Sequence, residues 1–123
     1  MADKMKILHV EDNFENRILV RRILHSSGFE VVEAENAMEA LDALSVFVPN
    51  LILMDINMPE VDGYTLTQQI KSNTDFANVP IIAITANVMK GDREKSLNAG
   101  CEGYIEKPIN VDTFIDQIEA YLH

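Results

Sequence analysis

Residues 51–63 read LILMDINMPEVDG. Four consecutive apolar residues, Leu51 to Met54, end on Asp55, and the turn-forming pair Met58-Pro59 follows. A short unbroken apolar run bounded by turn residues suits a strand covered on both faces, the kind found in a parallel sheet, rather than a strand with one wet face. Asp55 then stands at the carboxyl end of that strand. A structural role there would need a partner that the sequence does not show. Open parallel sheets bind their ligands just outside those ends, so the residue reads as functional.

Working outward, the same kind of segment recurs at Lys6–Val10, Glu30–Ala34, Pro80–Thr85 and Glu102–Ile105, giving five strands with Leu51–Asp55 in the middle. Between them the apolar residues switch to helical spacing: Phe14, Ile18, Leu19, Ile23 and Leu24, then Met38, Leu41 and Leu44, then Leu66 and Ile70. Each set predicts a helix with one buried face. Gly28 and Gly100 fall where the first and fourth helices should end in a left-handed cap. Asn36 with Glu39, and Asn110, are candidate N-caps. A last helix from about Asn110 to Leu122 carries Phe114, Ile118 and Leu122 on one side. Strand and helix alternating in this way predict a doubly wound (βα)₅ α/β domain, a five-stranded parallel sheet with helices on both faces. It is expected to occupy residues 1–123 as one domain, with nothing left over for an output domain.

The bulk numbers agree and exclude several functions. With 123 residues, 47% of them apolar, the chain can bury one real core. Twenty acidic against ten basic residues give a charge of −10, which repels phosphate backbones and anionic headgroups, so no nucleic acid and no membrane insertion are expected. The opening MADKMKILHVED has no signal-peptide pattern, which predicts a cytoplasmic protein. Cys101 is the single cysteine, so an internal disulfide and a cysteine zinc site are excluded; it reads as a small buried side chain. His9, His25 and His123 lack metal-ligand spacing, and His9 reads as a core histidine.

The strand ends collect the chemistry: Glu11 and Asp12 after the first strand, Asp55 after the third, Thr85 after the fourth, Lys107-Pro108 after the fifth. Carboxylates brought to about 4 Å from one another repel by roughly 4 kcal/mol per pair at an effective dielectric of about 20. A divalent cation would offset this, and an oxygen-only site with few protein ligands is what Mg²⁺ prefers. A carboxylate can also attack phosphorus to give an acyl phosphate. Phosphoryl transfer asks mainly for positioning and charge neutralisation, which Mg²⁺, Lys107 and the Thr85 hydroxyl with nearby backbone N–H groups would supply.

These residues, Glu11-Asp12, LILMDINMPEVDG around Asp55, Thr85-Ala86, Tyr104 and Lys107-Pro108, resemble the receiver domains of two-component response regulators over essentially the whole chain. The segments TANVMKGDREK and GCEGYIEKPI are similar to those of stand-alone, single-domain regulators. The resemblance implies a flavodoxin-like fold with strand order 2-1-3-4-5. It implies that Asp55 takes a phosphoryl group from a sensor histidine kinase or a histidine phosphotransfer protein, and that Asp12, Asp55 and the Asn57 carbonyl bind Mg²⁺ with Glu11 reaching it through water. Thr85 and Tyr104 would form the switch pair, Lys107 would bind a phosphate oxygen, and the Lys107–Pro108 bond would be cis. Such a protein is a phosphoacceptor switch rather than a conventional enzyme, catalysing its own phosphorylation and a slow autodephosphorylation. Output would pass to a downstream protein through Met89, Lys90, Arg93, Tyr104 and Glu106, from a monomer or weak dimer.

Blander readings compete residue by residue. Asp12 could cap the first helix, Lys107 could be a surface lysine, and Thr85 and Tyr104 are ordinary strand residues by propensity. At the level of function, a phosphate sink or relay intermediate shares every one of these residues. A phosphatase with an aspartate nucleophile would place that residue after its first strand and a second aspartate two positions on, where this chain has Asn57. A flavin carrier would need a phosphate loop where EDNFENR stands, and no glycine-rich nucleotide fingerprint follows any strand.

Overall fold

The computed structural model describes residues 4–58, 62–86 and 92–122, with the side chains of residues 92 and 93 left undescribed. Five strands, β1 Lys6–Val10, β2 Glu30–Ala34, β3 Leu51–Asp55, β4 Ile81–Thr85 and β5 Gly103–Glu106, alternate with α1 Phe14–Ser26, α2 Ala37–Leu44, α3 Gly63–Lys71, α4 Asp92–Ala99 and α5 Phe114–Glu119. All pairings are parallel. The strand order is β2-β1-β3-β4-β5, the flavodoxin-like doubly wound arrangement that the resemblance to receiver domains implies. β4 begins one residue later than the apolar run suggests, because Pro80 has no N–H to give the ladder.

Side chains alternate across the sheet and build two cores. On one face Leu8, Val10, Ile52, Met54, Ile81 and Ala83 pack with Leu66 and Ile70 of α3 and Ala40 and Leu44 of α2. On the other, Ile7, Leu51, Leu53, Ile82, Ile84 and Ile105 pack with Val20, Ile23 and Leu24 of α1 and Phe114 and Ile118 of α5. Every residue of β3 and β4 is buried. The edge strands are wetter and carry acid: Glu30 and Glu106 are exposed, Glu33 partly so, and exposed Glu102 precedes β5.

Both glycine caps adopt the left-handed conformation, Gly28 at φ 87° and Gly100 at φ 113°. Each closes the helix with a paired hydrogen-bond motif: Gly28 N–H to His25 O (3.1 Å) with Phe29 N–H to Leu24 O (3.0 Å), and Gly100 N–H to Leu97 O (3.1 Å) with Cys101 N–H to Ser96 O (2.9 Å). Asn36 caps α2 through Glu39 N–H at 2.8 Å, while the Glu39 carboxylate returns to Glu35 N–H at 2.8 Å.

Four expectations are corrected. The cap of α1 is Asn13, whose Oδ1 accepts from Asn16 N–H at 2.9 Å, so the capping reading of Asp12 falls. The buried stripe of α1 is Arg17, Val20, Ile23 and Leu24; Phe14 is 61% exposed and Leu19 lies at the margin. An arginine takes the stripe because it finds polar partners at the sheet edge, and Phe14 stays outside with its ring 5.6 Å from that guanidinium. Met38 is likewise exposed rather than buried. Finally, α5 starts at Phe114. Asn110 Oδ1 accepts from Asp112 N–H at 3.0 Å in a local side-chain turn, which competes with helical geometry over the following residues.

Candidate functional site

Where β1, β3, β4 and β5 end together, the chain's chemistry is concentrated. The register pairs Val10 with Met54, Asp55 with Ile84 and Thr85 with Glu106, so the terminal residues arrive side by side. Glu11 extends the ladder one step past β1, its N–H donating to Ala34 O at 2.9 Å. One carboxylate oxygen from each of Glu11, Asp12 and Asp55 lies within 4.8 Å of the others. Glu11 and Asp55 are buried and Asp12 is exposed.

Lys107 Nζ donates to Asp55 Oδ1 at 3.0 Å and lies 3.8 Å from Glu11 Oε1. The Lys107–Pro108 bond is cis. Asp55 Oδ1 also accepts from the Asn57 N–H at 2.9 Å. The Asn57 side chain turns the other way and accepts from Ala86 N–H at 3.0 Å, joining the ends of β3 and β4. Gly63 lets α3 start close by, because a Cβ there would sit 3.0 Å from Asp55 O and 3.0 Å from Ile56 Cα.

Two carboxylates and one lysine share little water, and their protonation divides. Burial pushes Glu11 up to about 8, helped by the hydrogen bond to Asp55 and the Asp55 charge. Burial acts on Asp55 in the same sense but is outweighed by hydrogen bonds from Glu11, the Asn57 N–H and Lys107, so Asp55 is held below the usual carboxylate range. At neutral pH the two environments therefore favour the proton on Glu11 and the charge on Asp55.

The fit to a divalent cation rests on Glu11. Its Oε2 is buried without a hydrogen-bond partner among the described residues, and burial beside Asp55 raises its pKa even with Lys107 Nζ 3.8 Å away. Hard oxygen donors, an orphaned carboxylate oxygen and an exposed side able to keep waters match Mg²⁺.

Thr85 is fully buried. By strand alternation it lies on the same face as Ala83, where half-buried Tyr104 also packs, so the two residues expected to form a pair share a face. Glu106 is exposed at the end of β5. Met89 and Lys90, also expected on the output surface, lie outside the described residues, as does the side chain of Arg93.

Two residues at the site escape the sequence reading. Asn16 Nδ2 donates to Glu11 Oε1 at 3.0 Å, and Arg17 Nη1 donates to the Glu11 carbonyl at 2.9 Å. The signal for Arg17 was available, since with Val20 and Leu24 it keeps the i, i+3, i+7 spacing of a buried stripe. His9 is buried as expected, but neither ring nitrogen has a hydrogen-bond partner among the described residues. Burial lowers its pKa to about 4 and keeps the imidazole neutral. Burial also pushes the Cys101 thiol up to about 11, which makes it inert at neutral pH.

A parallel sheet in this order, with acids, a lysine and a hydroxyl at its carboxyl edge, is the receiver arrangement, and residues 7–119 match the response regulator receiver domain family; the chain belongs to it. Its similarity runs to the polar-differentiation response regulator DivK of Brucella anthropi, 45% identical over 116 residues that cover 94% of each chain. Among solved structures it matches the chemotaxis protein CheY4 of Vibrio cholerae with a TM-score of 0.93 at 25% identity, covering 98% of this chain and 100% of that one. The receiver domain of the Pseudomonas aeruginosa sensor histidine kinase PA1611, which has a magnesium ion coordinated in its active-site cleft, matches with a TM-score of 0.88 at 34% identity, covering 97% and 98%. No helix among the described residues is long and apolar enough to cross a membrane.

Proposed function

We propose that residues 1–123 act as a single receiver whose Asp55 accepts a phosphoryl group from the phosphohistidine of a sensor kinase or phosphotransfer protein, and that the phosphorylated form signals through protein contact. The observation that carries this is the state of Asp55: buried, ionised, and hydrogen-bonded by Lys107 Nζ and the Asn57 N–H through the same oxygen. In the transfer a carboxylate oxygen of Asp55 forms a bond to phosphorus as the P–N bond to the donor imidazole breaks. The imidazole leaves with the electron pair and takes a proton.

Glu11, Asp12, Asp55 and the Asn57 carbonyl are the groups that would hold Mg²⁺, with water between Glu11 and the ion. When bound, the ion neutralises charge on the phosphoryl oxygens. Lys107 supplies a second cationic contact from its place beside Asp55, and the Thr85 hydroxyl with neighbouring backbone N–H groups supplies neutral hydrogen-bond donors. Adding close to two negative charges at Asp55 gives Thr85 and Tyr104 a new arrangement to favour, and the change reaches the surface around β5.

Intact-mass measurement after incubation with Mg²⁺ and acetyl phosphate tests the reading. Wild type should gain an acid-stable, alkali-labile phosphate that Asp55→Asn lacks. Wild type without an adduct, or a variant that still carries one, refutes the assignment.

A further inference from the structure

Arg17 is an expensive residue where it stands. It is 7% exposed, on a stripe whose other members are Val20, Ile23 and Leu24. An apolar residue would fill the same place without the desolvation of a guanidinium. What the arginine gains is polar and lies at the site: Nη1 donates to the Glu11 carbonyl at 2.9 Å and Nη2 meets Glu35 Oε1 at 3.0 Å.

The first of these contacts bears on the metal ligands. Glu11 is fixed on one side by its N–H bond to Ala34 O and through its side chain by Asn16. Arg17 fixes the other side, the carbonyl that belongs to the Glu11–Asp12 peptide. That peptide is planar, so holding its oxygen also sets the N and Cα of Asp12. Asp12 is exposed, so what the fold fixes of it is its backbone, which sets where its Cβ starts beside Glu11 and Asp55. The second contact anchors the guanidinium itself: Glu35 offers its carboxylate to Arg17 and its N–H to Glu39 Oε1 at the start of α2.

We propose that Arg17 is a positioning residue for Mg²⁺ binding, acting through the Glu11 carbonyl to aim the Glu11-Asp12 pair. The proposal rests on the functional reading above. A lysine cannot replace it fully, because one ammonium does not reproduce the planar fork that spans the Glu11 carbonyl and Glu35 at once.

Mg²⁺ titration calorimetry on the full chain tests it, with wild type, Arg17→Met, Arg17→Lys and a control, Phe114→Leu, which loosens the core beneath α5. Thermal unfolding of each variant is measured in parallel. Arg17→Met should bind Mg²⁺ about 10- to 100-fold more weakly, as is usual when a residue supporting metal ligands is lost. Arg17→Lys should recover part of the affinity, and Phe114→Leu should keep wild-type affinity despite its lower melting temperature. If Arg17→Met does not fold, Arg17→Lys decides. Wild-type affinity in a folded Arg17 variant overturns the proposal, as does an equal loss in Phe114→Leu, since affinity would then track stability. A wild type that takes up no Mg²⁺ overturns the functional reading and this proposal with it.

Discussion

Glu11 should make Mg²⁺ uptake a proton-releasing reaction. Its pKa stands at about 8 because the carboxyl is buried and shares a hydrogen bond with ionised Asp55. At neutral pH it is therefore held mostly protonated, and a cation that needs the carboxylate displaces a proton on binding. The apparent association constant should rise about tenfold per pH unit below pH 8 and flatten above it. Calorimetry at one pH in two buffers of different ionisation enthalpy counts the protons directly. Equal heats in both buffers, or an affinity that does not change between about pH 6 and pH 8, would refute the reasoning. Glu11→Gln, which has no proton to give, should bind with no buffer dependence. Without metal the same group destabilises the fold in the opposite sense. Between the ordinary value of 4.5 and about 8 the folded chain holds a proton that the unfolded chain has lost, so stability should fall as pH rises through that window. Saturating Mg²⁺ should reverse the trend.

Further expectations concern residues around the site. Gly63→Ala would set a Cβ 3.0 Å from backbone atoms of Asp55 and Ile56; it should cost about 1–3 kcal/mol in denaturant unfolding and slow phosphorylation by acetyl phosphate. Unchanged stability and rate would mean that α3 moves away freely. Gly103→Ala would drive a Cβ into the Tyr121 ring and should cost about 1–3 kcal/mol by the same measurement, most of it recovered in a Tyr121→Ala background. Equal costs in both backgrounds would show that the ring is not the obstacle. Asn57→Ala removes the acceptor for Ala86 N–H, so amide exchange at Ala86 should quicken while Mg²⁺ affinity holds, because the proposed ligand is the residue's backbone carbonyl.

The architecture is legible because buried parallel strands leave unbroken apolar runs, as in Leu51–Met54, and because Gly28 and Gly100 mark helix ends that only a residue without Cβ closes at little cost. Strand ends are legible for the same reason: Asp55 is conspicuous after four apolar residues. What the sequence hides is side-chain reach. A pattern of apolar residues assigns Phe14 and Leu19 to the core, yet Arg17 takes the stripe because its guanidinium finds oxygen atoms at the sheet edge, which only the assembled fold brings near. Asn13 rather than Asp12 caps α1 for a related reason: both suit the role, and the path of the loop leaving β1 chooses between them. Asn110 similarly favours a local turn that delays α5, a competition between side chain and backbone that spacing does not reveal.

The two edge strands have a consequence for crowding. Each leaves a row of backbone groups that another copy could adopt as a template, the route by which open sheets grow into fibres. Here β2 carries Glu30 and Glu33, while Glu102 and Glu106 flank and end β5. Glu33 is paired with Arg21 at 3.0 Å, so edge meeting edge brings chiefly the exposed Glu30, Glu102 and Glu106 against one another. The acidity of both edges thus opposes strand pairing between neighbouring copies.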